Sequence, residues 1–188
     1  NKVVAEYTDE VLFCDYGLSG PAILQISRQS ARDDRKYTVS LDLYPDVSID
    51  DLSAKIKDRA KLLSGRNLED FFVGSINKRL AQVVLKYCGY KLGNSVSVLS
   101  DADFTKIAKA LKSFEFKVLS NTGFLNSQVS AGGISTDEFD PKTLMSKRYK
   151  GLFAAGEILD IDGDCGGFNL SWAFASGTLA AESAVGML

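Results

Sequence analysis

The chain has 188 residues, a net charge of −2 and a hydrophobic content of 45%, which suffices for a buried core in one domain or two small ones. A nucleic-acid surface would need clustered lysines and arginines, and no apolar run approaches the roughly 20 residues that span a bilayer. Three widely separated cysteines fit reduced thiols. We therefore expect a cytoplasmic protein without nucleic-acid or membrane partners.

The N-terminal part predicts a strand, a turn and a helix. Residues 10–15 alternate weakly between apolar and polar, as a strand does, and the turn Tyr16-Gly-Leu-Ser-Gly-Pro21 follows. Ser19 is a candidate N-cap and Pro21 suits a first helical turn, so a helix is expected from Ala22 to about Ala31. On the residues alone, this turn can be purely structural.

The middle of the chain predicts a β-rich body with helices inserted into it. Residues 36–44 alternate as a half-buried strand that Pro45 ends, and residues 114–120 alternate again and are expected to pair with the earlier strands. Between them the hydrophobic period is 3.6, and the expected N-caps of short helices are Ser48, Asn67, Ser75 and Ser100. Helices this short need each other's apolar faces, so residues 48–113 should form a compact helical subdomain.

The C-terminal part predicts a strand, a glycine-rich loop and a helix. Leu152 to Ala155 are a short apolar run, which predicts a strand buried on both faces. A Gly-Glu pair ends this run, a loop with three aspartates follows, and the helix should begin near Gly167 and Phe168. Backbone N–H groups at a helix start carry partial positive charge, and glycines let a ligand approach without a Cβ in the way. The layout is therefore typical of a nucleotide or cofactor site.

Three other interpretations of this loop compete with a cofactor site. The spacing Asp160-x-Asp162-x-Asp164 resembles the start of a calcium loop, but the glycine is out of register and Ser171 stands where a bidentate glutamate is needed. A purely structural strand, loop and helix would show the same pattern. A catalytic or metal-binding Cys165 has little support, because the chain has no histidine and its other cysteines are distant. We therefore expect no metal site.

Three signatures occur along the chain: YGLSGPAILQISR at residues 16–28, QVSAGGIS at 128–135 and GLFAAGEILDIDGDCGGFNLSWAFASG at 151–177. Together they resemble a family of bacterial FAD-dependent oxidoreductases, whose members are described as NAD(P)/FAD-dependent, aminoacetone-oxidase-like or 3-dehydro-bile-acid-reductase-like flavoproteins. The resemblance covers essentially the whole chain. The set of motifs is specific for the family and says little about the substrate.

The resemblance implies an α+β fold in two parts. A β-rich, barrel-like insert domain is expected at residues 1–128, with its body at 1–47 and 114–128 and the helical subdomain at 48–113. The C-terminal strand, loop and helix of a Rossmann-like FAD-binding domain are expected at residues 129–188. No G-x-G occurs in the chain, so the phosphate-binding loop is expected in an N-terminal segment outside it. The chain also does not begin with methionine. Alone, it is expected to lack FAD and to be inactive.

The resemblance further implies an enzyme in which FAD passes a hydride between NAD(P)H or a small organic substrate and an acceptor, either an enone-like C=C or dioxygen. Glu157 occupies the position of the acid that binds the ribitol hydroxyls in related flavoproteins, and Asp162 is a second candidate for that role. The other implied cofactor-binding residues are Gly132, Gly133, Gly156, Gly166, Gly167, Phe168 and Asn169. The candidate substrate contacts are Tyr16, Ser19 and Ser130. No catalytic residue and no oligomeric state follow from the resemblance.

A rival interpretation belongs to another class of protein. The chain would be a non-enzymatic α+β binding module whose helical subdomain contacts a protein partner. A visible absorption spectrum separates the two interpretations, because only a flavoprotein shows a flavin band.

Overall fold

A computed structural model describes residues 2–32, 35–123, 125, 127 and 129–187. The chain divides into two compact units, residues 37–118 and residues 1–36 with 119–188. The mixture of helices and small sheets agrees with the predicted α+β class. In chain order the strands and α-helices are β1 (Leu12–Cys14), β2 (Gly17–Ser19), α1 (Pro21–Arg32), β3 (Thr38–Leu41), α2 (Ile49–Leu62), α3 (Lys78–Tyr87), α4 (Asp101–Lys112), β4 (Phe114–Lys117) and α5 (Phe168–Val185).

The unit of residues 37–118 is built around α2 and α4, which pack against each other along their apolar stripes. Neither stripe could be buried by a helix alone, so packing supplies most of the stability of these short helices. α3 and the 3₁₀ helix Leu68–Asp70 add further apolar side chains to the same core. Fully buried side chains of this unit include Leu68, Phe71, Val84, Leu85, Val96, Ile107 and Leu111.

Two strands pair beside these helices. β3 and β4 are antiparallel, with Leu41 opposite Phe114 and Thr38 opposite Lys117. The predicted pairing of the strand after residue 113 with a strand before residue 45 is therefore confirmed. One residue beyond the ladder, the Val118 N–H donates to the Tyr37 carbonyl at 3.0 Å. The chain thus enters and leaves this unit at neighbouring points.

The helix starts in this unit test the predicted N-caps. Ser48 caps α2 through its side chain, and Ser100 begins α4 in a capping box, as predicted. The predicted cap at Ser75 is wrong, because the N-cap of α3 is Asn77, whose side-chain oxygen accepts from two backbone N–H groups. The Ser75 hydroxyl instead lies 2.7 Å from the Tyr44 hydroxyl.

In the other unit, β1 and β2 form an antiparallel hairpin that leads directly into α1. The predicted N-cap at Ser19 is wrong, because Ser19 pairs with Leu12 in the hairpin and lies one residue too early to cap the helix. The Leu24 N–H donates to the Gly20 carbonyl at 2.9 Å, so Gly20 occupies the capping position.

The predicted strand at Leu152–Ala155 is not found. Phe153 forms only an isolated antiparallel bridge with Met145, and Leu152 is 51% exposed. A strand buried on both faces needs a hydrogen-bonded neighbour along each edge, and the described residues supply a single bridge.

The predicted barrel-like body is likewise not closed by the described residues, which form two separate two-stranded sheets, β1–β2 and β3–β4. The β1–β2 hairpin and the β3–β4 pair belong to different compact units and are separate sheets. The Rossmann-like arrangement and the domain boundary after residue 128 stay predictions. Residue 128 itself lies outside the described part of the chain.

α5 packs on a small apolar core in the unit that contains it. Phe139, Leu144 and Leu159 are buried at the centre of this core. The partly buried side chains around them are Ala154, Ile161, Trp172, Leu179 and Ala180. The segment before the helix is therefore held against one face of α5. Within the described ranges, no helix is long and apolar enough to cross a membrane.

Candidate functional site

The start of α5 is open and rich in glycine. Gly167 occupies the N-cap position with φ of +89°, which residues with a side chain rarely adopt, and the first helical hydrogen bond runs from the Ser171 N–H to the Gly167 carbonyl. No side chain of the described residues caps this end, and a Cβ on Gly167 would meet no atom within 4 Å. Phe168 is 63% exposed. The N–H groups of the first helical turn are therefore accessible to a ligand.

One turn further along, α5 holds the backbone of Gly156 on both sides. The Gly156 N–H donates to Ser176 Oγ at 2.8 Å, and the Trp172 Nε1–H donates to the Gly156 carbonyl at 3.1 Å. Trp172 and Ser176 are four residues apart and therefore lie on the same face of the helix. Ser176 is buried, and its hydroxyl also donates to the Trp172 carbonyl. The peptide groups on either side of Gly156 are thus fixed by side chains of one helix.

This clamp, formed by Trp172 and Ser176 on Gly156, fixes the origin of the Glu157 side chain. Glu157 lies in the 3₁₀ helix Gly156–Ile158 and is exposed. No described residue pairs with its carboxylate by an ion pair or a hydrogen bond. Because Trp172 is four residues, or about 6 Å, from the first residue of α5, Glu157 lies beside the first turns of that helix. A free carboxylate and an open helix start therefore occupy neighbouring positions.

The loop between residue 159 and α5 is tied to the helix by Asn169. Asn169 Oδ1 accepts from the Gly163 N–H at 2.8 Å, and its Nδ2 donates to the Gly163 carbonyl at 3.1 Å. The side chain of Asn169 is therefore engaged with the loop and does not cap the helix start. Gly166 lies beside Phe168, whose ring would be 3.8 Å from a Cβ on Gly166.

The same loop is held from the other side by α1. Gln25 Nε2 donates to Asp164 Oδ1 at 2.6 Å, and Gln25 Oε1 accepts from the Cys165 N–H at 3.0 Å. One turn along α1, the Arg28 guanidinium forms an ion pair with Asp162. The side chains of this pair are only 31% and 16% exposed, so solvent screens it less than it screens a surface pair. Asp162, predicted as a second ribitol ligand, is therefore already paired.

Sequence reasoning missed the roles of four residues: Gln25 and Arg28, which hold this loop, and Trp172 and Ser176, which hold Gly156. The available signal for the first two was a pair of long polar side chains at i and i+3, which places them on one side of an amphipathic helix. The Trp172 ring is partly buried against the apolar core, while its indole N–H donates to the Gly156 carbonyl.

The three loop aspartates do not gather as metal ligands. Asp162 pairs with Arg28 and Asp164 with Gln25, while Asp160 is exposed. Within the described ranges, no group of three or more histidine, cysteine or acidic side chains is arranged to hold a metal ion. Partial burial, and after it the charge of Asp164, raises the pKa of the Tyr7 phenol.

The adjacent glycines of the QVSAGGIS motif have different surroundings. A Cβ on Gly133 would lie 2.7 Å from the Ile158 carbonyl oxygen and 2.8 Å from the Asp160 nitrogen, whereas one on Gly132 would meet nothing within 4 Å. Ile134, the next residue, forms a parallel bridge with Leu159. The close approach that Gly133 permits is therefore to the chain's own backbone, and Gly132 alone remains open to a ligand.

The three candidate substrate contacts are spread over this unit. Tyr16 lies at the turn of the β1–β2 hairpin and is 69% exposed. Ser19 is half-buried in β2, and Ser130 is exposed. Within the described part of the chain, no hydrogen bond joins these side chains to the loop or to α5. The structure does not bring them together with the predicted cofactor residues through direct contacts.

A family model described as HI0933-like protein barrel and H2TH domain matches residues 1–129. The chain belongs to this family. A 3-dehydro-bile acid delta(4,6)-reductase of Clostridium scindens is 32% identical to it over 97% of this chain and 46% of its own length. This similarity agrees with the resemblance noted from the three motifs.

Two ribosomal RNA dihydrouridine synthases are also similar to this HI0933-like chain. The protein from Escherichia coli is 28% identical over 95% of this chain and 43% of its own length. The protein from Haemophilus influenzae is 27% identical over 94% of this chain and 42% of its own length. The chain therefore spans less than half the length of the curated relatives it matches.

Proposed function

We propose that this chain is part of an FAD-dependent oxidoreductase and contributes one side of its flavin site. The observation that carries the proposal is the free Glu157 carboxylate fixed beside the open, glycine-rich start of α5. Similarity to a reductase over nearly the whole chain supports it. A carboxylate suits the hydroxyls of a ribitol chain, and a helix start suits the electron-rich edge of a flavin ring.

The roles of the individual residues follow from their surroundings. Glu157 would accept hydrogen bonds from the ribitol hydroxyls, and the N–H groups of Phe168 and Asn169 would meet the ring. Gly166 and Gly167 would keep a Cβ away from this approach. When bound, FAD accepts and donates a hydride at its N5 atom. The protein's own part is to bind and orient, and the clamp on Gly156 gives that orientation.

An enone-like acceptor fits the names of both kinds of relative. A delta(4,6)-reductase acting on a 3-dehydro compound reduces carbon–carbon double bonds conjugated to a carbonyl, and dihydrouridine is uridine with its carbonyl-conjugated C=C reduced. The two substrates differ greatly in size and share this electronic arrangement. We propose the same bond type for this chain, with NAD(P)H as the reductant. A small-molecule acceptor is favoured because the chain carries a net charge of −2.

The first test is the cofactor itself. The natural protein that contains this chain, purified and reconstituted with FAD, should show a flavin absorption band that NADPH or NADH bleaches without oxygen. Turnover is then measured with a small cyclic dienone and, in parallel, with a uridine-containing RNA. A protein that takes up no FAD refutes the proposal and favours the binding module. A bound flavin with activity only on RNA refutes the small-molecule acceptor.

The second test concerns Glu157. Glu157→Ala should weaken FAD binding by about 5- to 150-fold, the equivalent of about 1 to 3 kcal/mol for a lost charge-assisted hydrogen bond. Glu182→Ala, at an exposed acid near the other end of α5, is the matched control and should bind FAD like the parent. Equal dissociation constants for all three proteins would show that Glu157 does not contact the cofactor.

A further inference from the structure

Two of the sequence signatures meet in space through side-chain contacts. Gln25 and Arg28 belong to YGLSGPAILQISR, and the residues they hold belong to the loop that precedes α5. These contacts join positions more than 130 residues apart in the chain. The YGLSGPAILQISR signature therefore does more than form the hairpin strand and the helix start, because its helical part holds the loop before α5.

The bonds made by Gln25 are specific in direction. Its amide nitrogen donates to the Asp164 carboxylate, and its amide oxygen accepts the Cys165 N–H. One planar side chain therefore satisfies an anionic acceptor and a backbone donor on consecutive residues. Neither glutamate nor leucine at this position could make both bonds.

The ion pair of Arg28 has a second effect, on charge. The loop carries Asp160, Asp162 and Asp164 within five residues, and like charges this close repel one another and any anionic ligand. Arg28 neutralises Asp162, and Gln25 offers a donor to Asp164. The contacts from α1 thus fix the loop and reduce its negative potential near the start of α5.

The loop needs such restraint because of its glycines. Gly166 and Gly167 both have φ in the left-handed region, and a glycine loses more conformational freedom on ordering than any other residue. Asn169 fixes one end of the loop at Gly163. The stretch between Gly163 and Phe168 is held from outside by Gln25 through Asp164 and Cys165.

From these contacts we propose that Gln25 and Arg28 are positioning residues, which set the conformation and charge of the 162–167 loop so that the start of α5 faces the cofactor. The inference rests on the flavin function proposed above. It assigns the YGLSGPAILQISR signature a role in ordering the cofactor loop from α1. Neither residue touches the cofactor in this account.

The test exchanges the two partners of one hydrogen bond. Gln25→Glu keeps an acceptor for the Cys165 N–H, loses the donor to Asp164 and sets two carboxylates against each other. Gln25→Glu combined with Asp164→Asn reverses the donor and acceptor roles and returns the pair to a single negative charge, as in the parent. Gln29→Glu, one turn along the same helix and half-buried, is the matched control for the added charge.

Two quantities are measured on the natural protein that contains this chain. Amide hydrogen exchange of the peptide spanning residues 160–167 is followed without flavin, and the FAD dissociation constant is measured by fluorescence quenching. Gln25→Glu should speed exchange in that peptide and weaken FAD binding by about tenfold or more, as expected for a lost bond to a charged group. The double variant should return both quantities to within about threefold of the parent, and Gln29→Glu should change neither by more than about that factor.

The outcomes separate this inference from the proposed function. A parent protein that binds no FAD overturns the proposed function, and the positioning role falls with it. If the parent binds FAD and Gln25→Glu binds it equally well, the positioning role alone is overturned. If Gln25→Glu loses FAD and the double variant does not regain it, the effect is not transmitted through the Gln25–Asp164 bond, and the inference is likewise overturned.

Discussion

Replacing Ser176 by alanine should release the clamp on Gly156. Ser176 is 1% exposed, and its Oγ is the acceptor that the described structure gives to the Gly156 N–H, at 2.8 Å. Gly156 is buried as well, so water cannot replace the lost partner without opening the site. A buried donor left without an acceptor costs about 1 to 3 kcal/mol. The unit that contains α5 should lose that much stability.

Thr178→Ala is the matched control for this change. The Thr178 hydroxyl donates to the Phe174 carbonyl four residues back, just as the Ser176 hydroxyl donates to the Trp172 carbonyl. Both substitutions therefore remove one such bond and gain a similar helix propensity, about 0.5 kcal/mol. Because Thr178 is exposed and accepts no backbone N–H, the difference between the two variants isolates the bond to Gly156.

The assay uses the single tryptophan of the chain, Trp172, which itself contacts Gly156. Urea unfolding followed by its fluorescence reports on the unit that holds the clamp. With a slope of about 2 kcal/mol per molar urea, the midpoint of Ser176→Ala should lie about 0.5 to 1.5 M below that of Thr178→Ala. Midpoints that agree within about 0.2 M would refute the reasoning, because Gly156 would then not depend on the Ser176 hydroxyl.

Two further changes test other contacts. Gly133→Ala should destabilise its unit by about 1 to 3 kcal/mol, because the added Cβ would lie 2.7 Å from the Ile158 carbonyl oxygen. Gly177→Ala, at an open position within α5, should stabilise the same unit by up to about 1 kcal/mol. Thermal unfolding that ranks the two variants otherwise would contradict the packing described. Burial, and next the hydrogen bond to Asp103, raises the pKa of Tyr90, and hydrogen bonds from Ser100 and Tyr90 lower the pKa of Asp103. The folded state thus holds the Tyr90 proton more tightly and the Asp103 proton less tightly than the unfolded chain does, so stability should fall as the pH rises above about 10 and as it falls below about 4. Tyr90→Phe should flatten the alkaline decline of the urea midpoint while the exposed-site control Tyr87→Phe leaves it unchanged; equal declines in both variants would show that Tyr90 is not the group responsible.

Local signals predicted much of the helical part of this fold. Ser48 and Ser100 cap helices where predicted, since a hydroxyl before an apolar 3.6-residue period acts over a few residues and needs no distant partner. The pairing of β3 with β4 followed from their alternation. The Ser75 prediction failed because Asn77, two residues later, is the N-cap, and the Ser75 hydroxyl lies against the distant Tyr44 hydroxyl.

The predicted strand at Leu152–Ala155 failed for a different reason. A short apolar run shows that a segment avoids water, and whether it becomes a strand depends on hydrogen-bonding neighbours that local sequence does not reveal. In the candidate site, the glycine-rich loop stood out by its local pattern, and Glu157 was named only through the family resemblance. Gln25 and Trp172 act through contacts with residues 140 and 16 positions away, and a single sequence gives no measure of such distances.

The hydrogen bond between Val118 and Tyr37 places the two ends of the unit of residues 37–118 side by side, which allows this unit to be exchanged as a block. One backbone hydrogen bond joins the residues at which the chain enters and leaves this unit. A gene rearrangement that inserted, removed or exchanged the unit would therefore leave chain ends that a very short linker can rejoin. The segments that carry α1, the acidic loop and α5 lie entirely outside those points. A different insertion at these points would therefore leave the contacts of Gln25 and Arg28 with the acidic loop in place.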